Sequence, residues 1–218
     1  MNVAMIPARL GSQRLKKKNL RNINGITLIE RAILKCKKAK CFDRIFVNSE
    51  NKIFEKFAKK HKVDFHLRPK KLGNNSATSE EFVEEFLLKN ECTNLIQVHS
   101  IAPLLTIKEV KNFSNYFFKT DYDVLLSCIM DQIEVAYKNK PINFSFLEKT
   151  NSQDLLPTQR ITWSLTGWRR SKFLKAKEQN KCATYQGKIG FFEVSSLSGH
   201  VIKDEKDLKI AKALIKII

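Results

Sequence analysis

The chain has 218 residues, enough for one α/β domain with a large core, and no apolar run reaches the ~18 residues of a transmembrane helix. The five cysteines and four histidines show no C-x-x-C pair and no metal-ligand spacing, so they predict neither a disulfide framework nor a zinc site. The net charge of +18 is spread over lysines in most predicted helices without a nucleic-acid-binding motif, so we expect a solvated lysine-rich surface and no nucleic-acid or membrane partner.

The first predicted strand covers residues 3–6, which are apolar on both faces and stop at Pro7, as in a buried parallel strand. No basic and apolar leader precedes this strand, so we expect a cytoplasmic protein. The following residues 9–18 contain one glycine, one serine and five cations. Open α/β sheets bind their ligands in loops that follow the carboxyl ends of strands, which makes this loop a candidate site.

The residue types of this loop suit a polyphosphate. Gly11 lets the backbone approach a ligand closely, and successive amides in such a loop can point at an anion. Arginine binds phosphate oxygens through two donors, whereas lysine acts as a point charge. A solvated basic turn is the alternative that composition alone leaves open. Neither a Walker loop nor a G-x-G-x-x-G dinucleotide fingerprint is present.

Residues 6–19 match every fixed position of the pattern I-P-A-R-x-G-S-x-R-x-x-x-K-N. This pattern resembles the opening signature of the acylneuraminate cytidylyltransferase family, whose members join CMP to N-acetylneuraminate and related sugar acids. The resemblance implies a nucleotide-diphospho-sugar transferase-like fold, with CTP and an acidic sugar as substrates and Mg²⁺ as cofactor. It assigns Arg9, Arg14 and Lys18 to the phosphates, and we expect Arg9 and Lys18 to lie nearest the developing charge on the leaving group.

The rest of the chain alternates between strands and helices. Asn24-Gly25 predicts a turn. The predicted helices are 26–40, 51–61, one that ends at 88, 107–119 and 204–218, and the predicted strands are 44–47, 63–67, 95–98, 123–130 and 189–194. Strands that alternate with helices of this length imply crossover connections. We therefore expect a three-layer, doubly wound α/β domain with a mostly parallel sheet.

Two stretches that follow predicted strands add candidate nucleotide contacts. Glu50 follows the second predicted strand, where the family has an aspartate. Arg68 and, further along, Ala77 follow the third, and the resemblance implies that both lie near the cytosine. A surface ion pair is the alternative reading of Arg68 from its residue type alone.

His99 follows the predicted strand 95–98. Counting back from Pro103 places His99 where the family has a glutamine. A histidine at a strand end can hydrogen-bond a sugar hydroxyl or carboxylate, and a structural histidine is the alternative.

Residues 132–168 show a weaker pattern, which we interpret as mixed-sheet strands and a projecting arm. The resemblance implies that such an arm forms a homodimer and borders the sugar. In the family's R-x-Q-D-L-P segment the arginine would help hold the sugar carboxylate. Asn151 occupies that position here, and an extra Leu156 precedes Pro157. The sequence therefore leaves the identity of the sugar acid open.

The last predicted helix is preceded by the largest departure from the family pattern. The family has two aspartates that position magnesium, and Val201 and Lys203 occupy those positions. Asp207 is retained, but it suits the acid of a helix's first turn. Three readings stay open: a metal held mainly by the nucleotide, a carboxylate recruited from Glu193 or Asp204, or a weakened enzyme.

Residues 1–218 are thus predicted to form a single cytidylyltransferase-like domain that transfers CMP from CTP to a nonulosonic 2-keto sugar acid. The predicted site residues are catalytic Arg9 and Lys18, nucleotide-binding Leu10, Gly11, Ser12, Arg14, Asn19, Arg68 and Ala77, and sugar-binding His99. Two alternatives remain. One is a nucleotidyltransferase of the same fold that acts on another sugar or sugar phosphate, and the other is a catalytically reduced nucleotide-binding homologue.

Overall fold

The computed structural model describes residues 1–217, and its first strand, β1 (Asn2–Pro7), lies inside a seven-stranded sheet. The other strands are β2 (Asn22–Ile23), β3 (Ile26–Thr27), β4 (Arg44–Ser49), β5 (Asp64–Leu67), β6 (Asn94–Val98), β7 (Val124–Asp131), β8 (Ala136–Tyr137), β9 (Lys140–Pro141), β10 (Thr158–Arg169) and β11 (Ile189–Glu193). The helices are α1 (Leu28–Ala39), α2 (Glu55–His61), α3 (Ser79–Lys89), α4 (Ile107–Lys119), α5 (Arg170–Glu178) and α6 (Glu205–Leu214).

The strand order of the large sheet is β11-β7-β10-β6-β1-β4-β5. β1 pairs in parallel with β4 on one side and β6 on the other, and only β10 runs antiparallel to its neighbours β6 and β7. From β1 the chain therefore first adds β4 and β5 on one side of the sheet. It later adds β6, β7, β10 and β11 on the other side. The predicted doubly wound, mostly parallel sheet is confirmed.

Helices cover both faces of the sheet, which gives three layers. Ala4 and Ile6 of β1 pack with buried residues of α1, α2 and α4, whereas Val3 and Met5 pack with those of α3 and α5. This alternation explains why β1 is apolar at every position, since a strand between two helical layers has no face that meets water. A smaller cluster joins α6 to Leu15 in the loop after β1.

Reciprocal hydrogen bonds called capping boxes begin three of the helices. Thr78 and Thr106 form capping boxes with Glu81 and Glu109, and Asp204 does the same for α6. Such a box provides acceptors for amides that have no partner within the helix, so it fixes the residue at which the helix begins.

The structure differs from the sequence prediction at three helices. The predicted helix 51–61 begins as a separate 3-10 turn, Lys52–Phe54, before α2. The sequence prediction missed α5, whose surface is rich in lysine and lacks a clear apolar stripe. The predicted helix 204–218 ends at Leu214, and Ile218 lies outside the described residues.

The segment 132–168 divides into two parts. Residues 132–157 lie outside the large sheet and contain the short β8–β9 hairpin. β10 instead runs through the large sheet, where Thr166 faces Gln97 of β6 and Leu126 of β7. Within the described range 1–217, no helix combines the length and apolar character that crossing a membrane would require.

Candidate functional site

A cavity of about 210 Å³ opens at the carboxyl ends of β1 and β6. Its lining residues are Pro7, Ala8, Arg9, Ser12, Lys18, Asn19, Arg68, Phe82, His99 and Ile101. The sheet extends in opposite directions on the two sides of β1, and the crevice beside such a switch point is where open α/β sheets bind ligands. Six of the ten predicted site residues therefore line one cavity.

The polar groups of the bend after β1 differ in whether they already have a hydrogen-bond partner in the protein. The amide of Leu10 donates to Oε1 of Glu50 at 2.8 Å, so a carboxylate of this chain already occupies it. Gly11 is exposed, and a Cβ built there would meet no other atom within 4 Å. The hydroxyl of Ser12 is buried and has no partner within the described chain. Gly11 and the Ser12 hydroxyl are thus available to a ligand, whereas the Leu10 amide already has a partner within the protein.

Lys18 joins this bend to the chain before α6. Its ammonium donates to the carbonyl oxygen of Ile202 at 3.0 Å. Burial lowers the pKa of Lys18, and the positive charges of Arg14 and Arg9 lower it further. Three cations therefore lie close enough to destabilise one another, and an anion among them would relieve that repulsion.

Arg9 connects the cavity to a second opening that contains Ala77. Its guanidinium donates to the carbonyl oxygen of Asn74 at 3.0 Å and to Oδ1 of Asn75 at 3.1 Å. Ala77 lines a neighbouring cavity of about 510 Å³, on the far side of this contact. Ala77 is thus near the predicted site without lining the same cavity as Lys18.

Asn19 holds the two ends of the bend in place. It is buried, and its amide nitrogen donates to the carbonyl oxygen of Arg9 at 3.0 Å. Its Oδ1 accepts a hydrogen bond of 2.8 Å from the hydroxyl of Ser100, which follows β6. Both ends of the Asn19 amide are engaged, so the residue fixes the shape of the bend.

Arg68 is buried beneath the cavity, with 3% of its surface exposed. Its guanidinium donates to Oδ1 of Asn48 at 3.2 Å, to the carbonyl oxygen of Ala8 at 3.1 Å and to Oε2 of Glu50 at 3.3 Å. Burial lowers the pKa of Arg68, and the nearby charge of Glu50 raises it. The alternative reading of a surface ion pair is wrong, because this guanidinium is enclosed by the ends of β1, β4 and β5.

Two further contacts shape the surroundings of this ion pair. The guanidinium of Arg68 lies 4.6 Å from the ring centroid of Phe82, a cation–π distance. The side chain of Glu50 passes directly over Gly73, where an added Cβ would come within 2.3 Å of Cγ of Glu50. A glycine is therefore needed at position 73 for the longer glutamate to reach Arg68 and the amide of Leu10.

His99 is held at the opposite side of the cavity. Its amide donates to the carbonyl oxygen of Ser164 at 3.1 Å, beside an irregularity in β10 where Trp163 has a φ of 58°. Its ring contacts the side-chain amide of the buried Gln97. Burial, together with the charge of Lys18, lowers the pKa of His99 to about 4, so the ring is neutral near pH 7.

The carboxylates near the cavity are committed to the protein itself. Asp204 accepts hydrogen bonds from the amides of Lys206 and Asp207, and Asp207 accepts from the amides of Lys203 and Asp204. Both therefore cap α6, as predicted for Asp207. Among residues 1–217, no group of three or more histidine, cysteine, aspartate or glutamate side chains is arranged to hold a metal ion.

These residues do not fit a magnesium site built from protein carboxylates. The two positions at which the family has aspartates carry an apolar side chain, Val201, and a cation, Lys203. Glu193, one of the alternatives, is exposed at the end of β11 and does not line the cavity. Mg²⁺ prefers oxygen ligands, and an ammonium cannot supply one.

Of the ten predicted residues, four do not line the cavity: Leu10, Gly11, Arg14 and Ala77. Arg14 is exposed, yet its charge still reaches Lys18. Phe82, which lines the cavity, and Gln97, which contacts His99, are not among the predicted site residues. Gln97 was detectable as the one polar residue in the apolar run 95–98, whereas Phe82 looks like any apolar residue of a helix. The roles of all these residues remain predictions.

Comparisons with known proteins agree with this geometry. The family model described as cytidylyltransferase matches residues 3–216. "Post-translational flagellin modification protein B" of Campylobacter coli is 26% identical over 229 aligned positions, which cover 97% of this chain and 93% of that protein. "N-acylneuraminate cytidylyltransferase" of Escherichia coli O18:K1:H7 is 32% identical over 90 positions, which cover 39% of this chain and only 20% of that relative.

Among solved structures, a CMP:2-keto-3-deoxy-manno-octonic acid synthetase complexed with CTP superimposes with a TM-score of 0.75. The two share 17% sequence identity, and the match covers 99% of this chain and 98% of the other. This likeness shows a common fold. The family match spans nearly the whole chain and confirms the resemblance first seen in residues 6–19: the chain belongs to the cytidylyltransferase family of nucleotidyltransferases.

Proposed function

We propose that this protein transfers CMP from CTP to a nonulosonic, sialic-acid-like 2-keto sugar acid and releases pyrophosphate. The observation that carries the proposal is one cavity, at the switch point of the sheet, into which Arg9, Lys18 and a buried Arg68 bring positive charge. A triphosphate and an acidic sugar are both anions, and both would be drawn to such a site.

In the proposed reaction the anomeric hydroxyl oxygen of the sugar acid attacks the α-phosphorus of CTP. A bond forms between that oxygen and the phosphorus, and the bond from the α-phosphorus to the bridging oxygen of the β-phosphate breaks. The electron pair of the broken bond leaves with pyrophosphate, and the hydroxyl proton is lost to solvent or a neighbouring base. The protein acts mainly by positioning the two substrates and stabilising negative charge.

The cations of the bend have the phosphates as their proposed ligands. Lys18 and Arg9 stabilise the charge that develops on pyrophosphate, and the exposed Arg14 adds attraction from the rim. Gly11 and the unpartnered hydroxyl of Ser12 offer hydrogen bonds to phosphate oxygens. The amide of Leu10 would join them only if Glu50 released it, so in this proposal Leu10 has a supporting role.

The remaining predicted residues have the base, ribose and sugar as their proposed ligands. Asn19 and Arg68 border the nucleoside from the floor of the cavity, and Ala77 lies beyond Arg9, where the base would extend. His99, neutral near pH 7, would exchange hydrogen bonds with a sugar hydroxyl.

The name of one relative supports the substrate class, since the Escherichia coli relative is named for N-acylneuraminate. Asn151 and the cationic Lys203 stand where the family has other residues, so the particular acid is left to experiment.

Three further predictions belong to this proposal. The first is a magnesium ion that arrives bound to the nucleotide, which would need no carboxylate of the protein. The second is a cytoplasmic location. The third is a homodimer formed through residues 132–157, which is supported by exposed apolar side chains in that segment, namely Ile133, Tyr137, Ile142, Phe146, Leu147 and Leu156.

The test is pyrophosphate release from CTP with neuraminate, legionaminate, pseudaminate and octulosonate as acceptors, with UTP and GTP as control nucleotides. We expect release with CTP and one of the first three acids. Release only with UTP or GTP, or only with a sugar phosphate, would instead favour another nucleotidyltransferase of this fold. Thermal stabilisation by CTP without any release would favour a catalytically reduced nucleotide-binding protein, because a ligand that binds only the folded state raises Tm.

A further inference from the structure

The segment of residues 201–203, which we call the second wall, lies against Lys18, one of the residues that line the cavity. Ile202 is fully buried, and its amide donates to the carbonyl oxygen of Ile101 at 2.8 Å. Its carbonyl oxygen accepts the hydrogen bond from the ammonium of Lys18. Ile202 is therefore fixed on both sides, and its neighbours Val201 and Lys203 are held next to Lys18.

Lys203 is exposed at this wall, and its backbone amide is anchored to Oδ2 of Asp207 at 2.7 Å. Together with Val201, Lys203 lines an adjacent cavity of about 240 Å³ to which Arg160 and His200 also contribute. The lining of that cavity contains one carboxylate, Asp207, which caps α6. The lining of that cavity therefore carries two cations, Arg160 and Lys203, and one carboxylate.

The charge change at this wall can be compared with the charge of a metal ion. An ammonium in place of a carboxylate raises the local charge by about two units, the charge of one Mg²⁺ ion. The neutral Val201 in place of a second carboxylate raises it by about one more. A wall of this kind attracts a triphosphate directly and repels a divalent cation.

We propose that Lys203 is a phosphate-binding residue that, with Lys18, takes over the charge neutralisation of a protein-held metal ion, so that this chain binds the triphosphate of CTP without help from Mg²⁺. This inference rests on the proposed function, since it concerns the same nucleotide. It concerns binding, and it leaves open whether magnesium bound to CTP takes part in the later transfer.

Calorimetric titration with CTP, in EDTA and in millimolar Mg²⁺, tests the inference. For the native protein we expect two Kd values that agree within about threefold. Lys203→Ala should weaken binding in EDTA by about tenfold or more, as expected for loss of a charge-assisted contact. The Val201→Asp, Lys203→Asp double variant should bind poorly in EDTA and recover by about tenfold or more when Mg²⁺ is added.

Lys206→Asp is the matched control. It makes the two-unit charge change of Lys203→Asp in the first turn of α6, at an exposed residue that lines neither cavity. We expect a Kd for CTP within about threefold of the native value in both buffers, because a solvated charge at this distance is screened by salt. Circular dichroism and urea unfolding without nucleotide verify that each variant is folded.

The outcomes separate the two proposals. A native protein that binds CTP at least about tenfold more tightly with Mg²⁺ than in EDTA would overturn this inference and leave the proposed function intact. An unchanged Kd for Lys203→Ala in EDTA would also overturn it. If the protein binds CTP neither in EDTA nor in Mg²⁺, the proposed function is overturned, and this inference with it.

Discussion

The bend of residues 8–20, which we call the braced wall, and the second wall, residues 201–203 before α6, are joined by Lys18 and differ in how they hold their charges. Beneath the bend, the buried Arg68 pairs with the partly buried Glu50, and Asn19 joins the two ends of the bend by a hydrogen bond to Arg9. In the second wall the acids cap α6 and Lys203 is exposed. The bend also matches the family pattern at every fixed position, whereas the second wall departs from it at Val201 and Lys203.

The comparison indicates that the two walls can vary separately in this fold. The bend is braced by the carboxyl ends of β1, β4 and β5, so a change there disturbs the protein core. The second wall is fixed mainly through the backbone of Ile202, so the side chains on either side can change while the backbone stays in place. Three measurements would sharpen or break this view.

The largest effect is expected at the braced wall. Arg68→Ala should lower the free energy of unfolding by about 3–5 kcal/mol, because it leaves the partly buried carboxylate of Glu50 without its cation. Urea unfolding measures the change. Arg44→Ala, which breaks the exposed pair with Asp64, is the control and should cost less than about 1 kcal/mol. Equal losses in the two variants would contradict the idea of a braced wall.

The next effect concerns the residue that joins the two walls. Lys18→Ala should lower kcat/KM for pyrophosphate release by about 10²- to 10³-fold, the range found when one charge-stabilising donor is removed. Its free energy of unfolding should change by less than about 1.5 kcal/mol, because one partly exposed hydrogen bond to Ile202 is lost.

Lys16→Ala is the control for that variant, because Lys16 belongs to the same bend and is exposed. We expect it to keep kcat/KM within about threefold of the native value, since a solvated charge interacts weakly. Native turnover in Lys18→Ala would show that the ammonium only joins the walls and does not act on the phosphates.

The smallest effect is a pH dependence that originates at His99. Burial and Lys18 hold its pKa at about 4 in the folded protein, below the ordinary value of 6.5. The unfolded chain therefore takes up the proton first as pH falls, and the folded state loses stability between about pH 6.5 and 4. From pH 7 to 5 this residue should cost about 2 kcal/mol, at roughly 1.4 kcal/mol per unit of pKa.

His99→Gln removes the titrating group, and its stability should fall less over the same pH interval. Urea unfolding of both proteins at pH 7, 6 and 5 gives the difference directly, because all other titrating groups are shared. If the two stability curves stay parallel, His99 is as well solvated in the folded protein as in the unfolded chain, and the cavity is open to water at that side.

The sequence predicted most of the residues of the braced wall but few of the contacts that hold them in place. Residues 6–19 and Arg68 could be assigned from a pattern of residue types. The contact of Glu50 with the Leu10 amide, and the space that Gly73 leaves for Glu50, join residues far apart in the sequence. No local spacing could indicate them.

The amino-acid sequence by itself determined the alternation of strands and helices, the basic bend after β1 and the family, because each depends on periodicity or on residues that are close together in the chain. Only the tertiary structure decided that Arg68 is enclosed, that the Leu10 amide is already taken and that Lys18 reaches the carbonyl of Ile202. Burial and hydrogen-bond partners depend on which strand ends meet at β1, and that meeting exists only once the sheet has assembled.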